Sequence, residues 1–325
     1  LKLSIAQIEG YAGFCNKIYN AIRFALMQFE KDEVLSFTPS LYREDAFTGA
    51  DKWILTRLSK VTDIVNSNLE RYRLTEAANA LYHFFWHEFC DWYIELVKPI
   101  FAEGSPFEKE TTKKVLLKIL DVSLRLLHPF MPFITEELWQ ALPFTNRDRK
   151  KSIMISDFPQ SEEIPTFPSD AAIMERLIEL VTVIRTIRSE TGVNPATIIP
   201  AVLVVSPGMA AEAQQAEIFL KRLARTAPLS IVEEYHPAKG DASAVVALGT
   251  LYLPLAGSID ITEEARRIEK DLGKLHKEID IIRQKIENEK FLANAPSSLI
   301  EQERERYAVL STKIAHLKKR LQEMQ

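Results

Sequence analysis

The chain has 325 residues, 46% of them hydrophobic and 26% charged, with a formal net charge of −4. That composition fits a globular protein of two or three domains, and runs such as "IIPAVLVV" (198–205) are far too short to span a bilayer. Two cysteines, Cys15 and Cys90, argue against a disulfide framework and for a reducing compartment. With net charge slightly negative, any nucleic-acid binding must come from local patches. The opening "LKLSIAQIEG" has neither an initiator Met nor a signal-peptide layout, which reads as a piece of a longer protein.

In chain order, 3.6-residue periodicity predicts helices over 4–29, 51–72, 75–101, 108–128 and 131–142. Asp51 and Thr75 are the expected N-caps, and "HPFMP" (128–132) ends one helix and starts the next. Short connections imply antiparallel neighbours, so residues 1–146 read as a helical bundle. Residues 147–168 read as a linker carrying a short strand at "IMIS". A small α+β module over 169–258 follows: a helix (170–191), a strand (197–205), a helix (209–225), and β-rich segments at 229–235 and 244–255. Pro200 inside the first strand predicts an edge position.

Residues 259–325 carry two heptad seams. Ile268, Leu272, Leu275, Ile279, Ile282 and Ile286 form one; Tyr307, Leu310, Ile314, Leu317, Leu321 and Met324 form the other. "SLIE" (298–301) has the form of a capping box, with Ser298 as N-cap and Glu301 at N3, and Pro296 marks the turn. The prediction is an antiparallel coiled-coil hairpin, each arm about 25 residues and roughly 40 Å long at the helical rise. The fold class is therefore mainly α: a bundle, a small α+β module and a coiled-coil arm.

"LYHFFWHEFCDWYIE" (81–95) poses a choice between a metal site and a core helix. On an α-helix His83, His87, Cys90 and Ile94 share one face, with Phe85, Phe89, Trp92 and Leu96 opposite and a thin polar strip at Glu88 and Glu95. Zinc requires a fourth ligand or an open watered position. No CxxC or second His pair lies nearby, so the central-helix reading is preferred and no metal ligand is assigned.

The first helix has a core stripe of Phe14, Ile18, Ala21, Ile22, Ala25 and Phe29. Phe24 points about 120° away from it, beside Gly13, Lys17, Asn20 and Gln28. An aromatic ring among an amide and a cation suits an unpaired base, which is bound by stacking and edge hydrogen bonds. Packing against a second bundle helix is the competing explanation.

Three segments, "GFCNKIYNAIRF" (13–24), "FWHEFCDWYIELVKP" (85–99) and "LLHPFMPFITEELW" (126–139), resemble the anticodon-binding helical domain of class I aminoacyl-tRNA synthetases for valine, isoleucine and leucine. "LPLAGSIDITEEARRIEKDLGKL" (253–275) and "KIENEKFLANAP" (285–296) resemble the C-terminal segment of the bacterial-type valyl-tRNA synthetase family. The resemblance covers essentially the whole chain and is weakest over 165–250.

It implies a tRNA-binding portion of a cytoplasmic, ATP-dependent ligase of translation. The catalytic and editing domains would lie upstream in the same chain, and ATP and Mg would be used by the full-length enzyme, with no cofactor here. The implied partner is tRNA(Val), with no membrane contact and a monomeric chain. Lys17 and Phe24 match family positions that hold anticodon bases; Asn20 is added by helical geometry alone. Family contacts around residues 84–88 are not carried to named residues. The family's hairpin lies along the outer corner of tRNA, which makes Arg266, Arg267, Lys270, Lys274 and Lys277 candidate contacts, although nearby acids such as Glu263, Glu264, Glu269 and Asp271 offer intrahelical partners. The alternatives are an isoleucyl- or leucyl-type synthetase region, a coiled-coil scaffold that dimerises, and a metalloenzyme built on His83, His87 and Cys90.

Overall fold

The computed structural model describes residues 5–30, 46–143, 150–194, 196–238, 240–255 and 261–288, and twelve residues between 303 and 321; for 5–9, 261–268 and 271 it describes the backbone alone. The chain is mostly helical with one small mixed sheet, and it divides into two compact units, residues 1–178 and 179–325.

In the first unit, α1 (Ile5–Leu26) buries Phe14, Ile18, Ala21, Ile22 and Ala25, the expected stripe; Phe29 is only half-buried, beyond the helix end. Ile18 and Ile22 are fully buried, each contributing roughly 1.5–3 kcal/mol by area removed from water. The next helix, α2 (Gly49–Glu70), starts two residues earlier than predicted. Its N-cap is Thr48, and Asp51 is the N3 member of the capping box. Asp51 is fully buried: its Oδ2 accepts from the Thr48 hydroxyl (2.7 Å) and its Oδ1 from the Tyr93 hydroxyl (2.7 Å). Burial pushes its carboxyl above the usual range, against the pull of those hydrogen bonds.

One long helical stretch follows. It runs as α3 (Leu74–His83), a π-helical segment (Phe84–Tyr93) and α4 (Ile94–Glu103). The residue before α3 is Arg73, with no side-chain cap, so the predicted cap at Thr75 is not used. Then α5 (Pro106–Leu127) opens on a Ser105–Glu108 capping box, and α6 (Pro132–Gln140) has Pro132 at its first turn, where its missing N–H costs nothing. Buried Asp121 joins them, accepting from Trp139 Nε1 (2.7 Å) and Arg125 Nη2 (2.6 Å).

The expected strand at "IMIS" is a 3₁₀ turn, Ile153–Ile155. Its polar groups are taken locally: Ser152 and the Ile153 N–H both donate to Glu136 Oε2. The following residues are strapped to the helices. Arg125 donates to the Asp157 carbonyl, Asn66 to Pro159 and Ser59 to Ser161, and the Phe167 N–H donates to Thr56. The described part of the segment read as linker, residues 150–168, is thus bonded to the helices of the first unit.

The division between units falls within α7 (Pro168–Thr191). The second unit contains β1 (Ile199–Val205), α8 (Ala210–Phe219) with a π-helical turn Leu220–Ala224, β2 (Thr226–Val232), β3 (Ala242–Val246), β4 (Gly249–Leu253) and α9 (Ile261–Ile286). Sheet order is β2-β1-β4-β3, with β1 and β2 parallel and the other pairs antiparallel. The β-rich stretch at 244–255 is in fact a hairpin. Gly249 is required there: its φ is +146°, and a Cβ would stand 2.1 Å from the Val204 carbonyl.

Pro200 does not mark an edge, because β1 lies inside the sheet. The β1–β2 ladder is irregular between Ile199 and Ala201, and pairing with β4 begins only at Val202. Pro200 therefore sits at a bulge where no donor is needed, and cis Pro228 falls in the same gap on edge strand β2.

In α9, Leu272 is buried with Ile314, and Leu275, Ile279 and Leu321 pack against them. The described residues between 303 and 321 are helical. Arg306 bonds Glu278 (2.6 Å) and Lys285 bonds Glu303 (3.0 Å). Pro296, Ser298 and Glu301, with Leu317 and Met324 of the predicted seam, lie outside the described residues.

Candidate nucleic-acid interface

The outward face of α1 is completed by the π-helical segment. The Nζ of Lys17 lies 2.9 Å from Asp91 Oδ1 and 5.0 Å from the centre of the Trp86 ring. Asp91 is also 3.2 Å from His87 Nδ1. Both members of the Lys17 pair are about a third exposed, so solvent screening leaves the pair little weight in stability. Its effect is to hold the ammonium over an indole.

Asn20 is exposed. Phe24 is half-buried: its ring meets Phe101 of α4 edge-on at 6.4 Å, and Lys98 Nζ lies 6.0 Å from its centre. The ring is thus neither turned fully outward nor sealed in. It leans on α4 with part of its surface open, a shallower position than the helical wheel alone implied.

Residues 81–95 depart furthest from the sequence reading. His83 and His87 are exposed while Cys90 and Ile94 are buried, so the four do not share a face. Glu88, expected on the polar strip, is 8% exposed and takes two hydrogen bonds of 2.7 Å from Arg57 Nε and Nη2. The cause is the winding: i→i+5 bonding over Phe84–Tyr93 changes the angle per residue, so an α-helical wheel loses phase. Phe84, Phe85, Phe89 and Tyr93 fill the core, and the Arg57–Glu88 pair clamps the segment to α2. Hydrogen bonding to Glu88 raises the Arg57 pKa.

Cys90 turns inward. Burial pushes its thiol up to about 12. His83 faces Glu88 at 3.3 Å, and among the described residues no group of three His, Cys, Asp or Glu is arranged to hold an ion.

A ring cluster missed by the sequence reading flanks Lys17. Trp86 lies 5.4 Å from Tyr82 and stacks on buried Phe14 at 6.2 Å, and Tyr82 meets His87 at 6.0 Å. The aromatic density of 81–95 was the available signal; the exposed subset was hidden by the winding.

On α9, Lys270, Lys274 and Lys277 are exposed. The side chains of Arg266 and Arg267 lie outside the described residues, although their backbone is helical. Arg283 is paired with Asp280 at 2.9 Å.

Residues 51–203 match the family model "Anticodon-binding domain of tRNA ligase", and residues 260–325 match "Valyl tRNA synthetase tRNA binding arm". The valine–tRNA ligase of Syntrophotalea carbinolica is 42% identical over 328 residues, covering 100% of this chain and 36% of its own length. The chain belongs to the valyl-tRNA synthetase family. The valine–tRNA ligases of Geobacter sulfurreducens (40% over 316 residues, 96% of this chain, 35% of its own length) and Carboxydothermus hydrogenoformans (38% over 307, 94% and 34%) agree. The chain spans about a third of the length of these synthetases. Lys17, Asn20 and Phe24 precede the span matched by the anticodon-binding model. No helix among the described residues is long and apolar enough to cross a membrane.

Proposed function

We propose that this chain is the tRNA-binding part of a valine–tRNA ligase, acting as a monomer with catalytic and editing domains of the same polypeptide, in the cytoplasm. In this reading the first unit is a helical-bundle anticodon-binding domain. Residues 259–325 form an antiparallel coiled-coil arm laid along the outer corner of tRNA(Val). Aminoacylation with ATP and Mg belongs to the rest of the enzyme, and no residue here is given a catalytic role.

The observation that carries the reading is the pairing of the two matched spans, one for an anticodon-binding domain and one for a tRNA-binding arm. The α1 face supports it physically. Phe24 offers an open ring surface for stacking, Asn20 an exposed amide for a base edge, and Lys17 a cation held over Trp86. On the arm, Arg266, Arg267, Lys270, Lys274 and Lys277 would meet phosphates and 2′-OH groups. The buried Leu272–Ile314 contact and the Arg306–Glu278 and Lys285–Glu303 pairs support two helices zipped along a seam.

Titration of the chain with tRNA(Val) across a salt series tests the proposal. Saturable binding with log K falling linearly against log salt is expected, because each neutralised phosphate releases counterions. Binding that ignores salt, or equals that of an unrelated single-stranded RNA, would contradict it.

A further inference from the structure

Residues 152–258 hold 7 basic and 12 acidic side chains. Four of the seven, Arg185, Arg188, Arg222 and Arg225, line one cavity of about 370 Å³ in the second unit, and no carboxylate is among its described lining residues. Like charges repel, so cations placed only for solubility on a net-acidic surface would be interspersed with acids.

The gathering is built into the backbone. Arg188, in the last turn of α7, is 7% exposed; its Nη2 donates to the carbonyls of Asn194 (2.9 Å) and Thr197 (2.7 Å) and its Nη1 to that of Arg225 (3.4 Å). These carbonyl oxygens accept guanidinium protons and carry no formal charge of their own. Burial, then the neighbouring Arg225, lowers its pKa. Arg225 has a left-handed backbone (φ 49°, ψ 49°) directly after the π-helical turn. Its carbonyl turns inward to accept from Arg188 and from the Ile199 N–H (3.2 Å), while its side chain is exposed. Arg185 Nε donates to the Leu223 carbonyl at 2.9 Å, and Arg222 is exposed.

Planar forks of N–H donors match the oxygens of a phosphate, and the cavity has the volume of a nucleotide-sized site. We propose that this cavity holds a backbone phosphate of bound RNA, a contact separate from the α1 face and the arm. The proposal rests on the tRNA-binding reading of the chain.

The test compares the whole chain with its Arg222→Gln/Arg225→Gln and Arg222→Lys/Arg225→Lys variants, titrated with tRNA(Val) across a salt series. For the glutamine pair the slope of log K against log salt should fall by about 1, with several-fold weaker binding to every tRNA alike. The lysine pair should keep the slope. An unchanged slope in the glutamine pair, with the parent chain binding normally, overturns the proposal. So does equal loss in both pairs with a lowered melting temperature, the mark of a structural role. ATP binding that the glutamine pair abolishes while the tRNA slope stays put would assign the cavity to free nucleotides instead. Failure of the parent chain to bind tRNA would sink the tRNA reading itself, and this inference with it.

Discussion

The α1 face and the α9 arm both present lysines, but they present them differently. Lys17 is held between Asp91 and the Trp86 ring, with Asn20 and the open part of Phe24 on the same helix. Lys270, Lys274 and Lys277 stand exposed on a helix whose buried residues, Leu272 and Ile282, lie on its other side. The first arrangement fixes rings, an amide and one cation at set positions, which suits reading bases. The second spreads charge along a rod, which suits phosphates whatever their sequence. Under the proposed function, specificity and affinity for one RNA would be lodged in separate parts of one chain.

The largest expected effect comes from breaking the support of the first region. Glu88→Ala would take two hydrogen bonds from Arg57 and leave it Glu175 at 3.7 Å; a loss of about 1.5–3 kcal/mol in unfolding free energy is expected, read by denaturant titration. Next, Phe24→Ala removes the stacking surface and should cost about 1–3 kcal/mol of discrimination between valine and other anticodons. Equal weakening for all tRNAs would count against a base-reading role.

Lys270, Lys274 and Lys277 changed together to Gln should do the reverse. The salt slope should drop by roughly 2–3, with anticodon discrimination intact. Smallest is Asp91→Asn, which frees the Lys17 ammonium. A stability change under about 1 kcal/mol is expected for so exposed a pair, with slightly tighter tRNA binding. Weaker binding would mean that Asp91 positions Lys17 rather than restraining it.

Much of this organisation was legible in the sequence. Helical periodicity located α1, α2, α5, α6 and α7 within a few residues, because a 3.6-residue stripe survives wherever a helix packs one face. The apolar contacts of Leu272, Ile314 and Leu321 likewise fall on predicted seam positions. What failed were features set by tertiary structure. The π-helical winding over Phe84–Tyr93 puts Cys90 and Ile94 out of phase with His83 and His87 and buries Glu88, and the residues 81–95 give an α-helical wheel no warning of it. Pro200 misled because an interior strand can host proline at a bulge. The arginine cavity was divided between positions 185/188 and 222/225, which are brought together by bonds from Arg185 to the Leu223 carbonyl and from Arg188 to that of Arg225. For the α1 face, the periodicity separated Phe24 from the core stripe, but Phe101 and Trp86 come from a distant part of the chain.

Under the proposed function the α1 face reads the anticodon. Moving the valine anticodon into a tRNA of another specificity tests it most directly, since the outer corner stays constant. This chain should bind the altered tRNA about tenfold more tightly than its parent, as one stacked and hydrogen-bonded base would require. Equal affinity for the two tRNAs would contradict it.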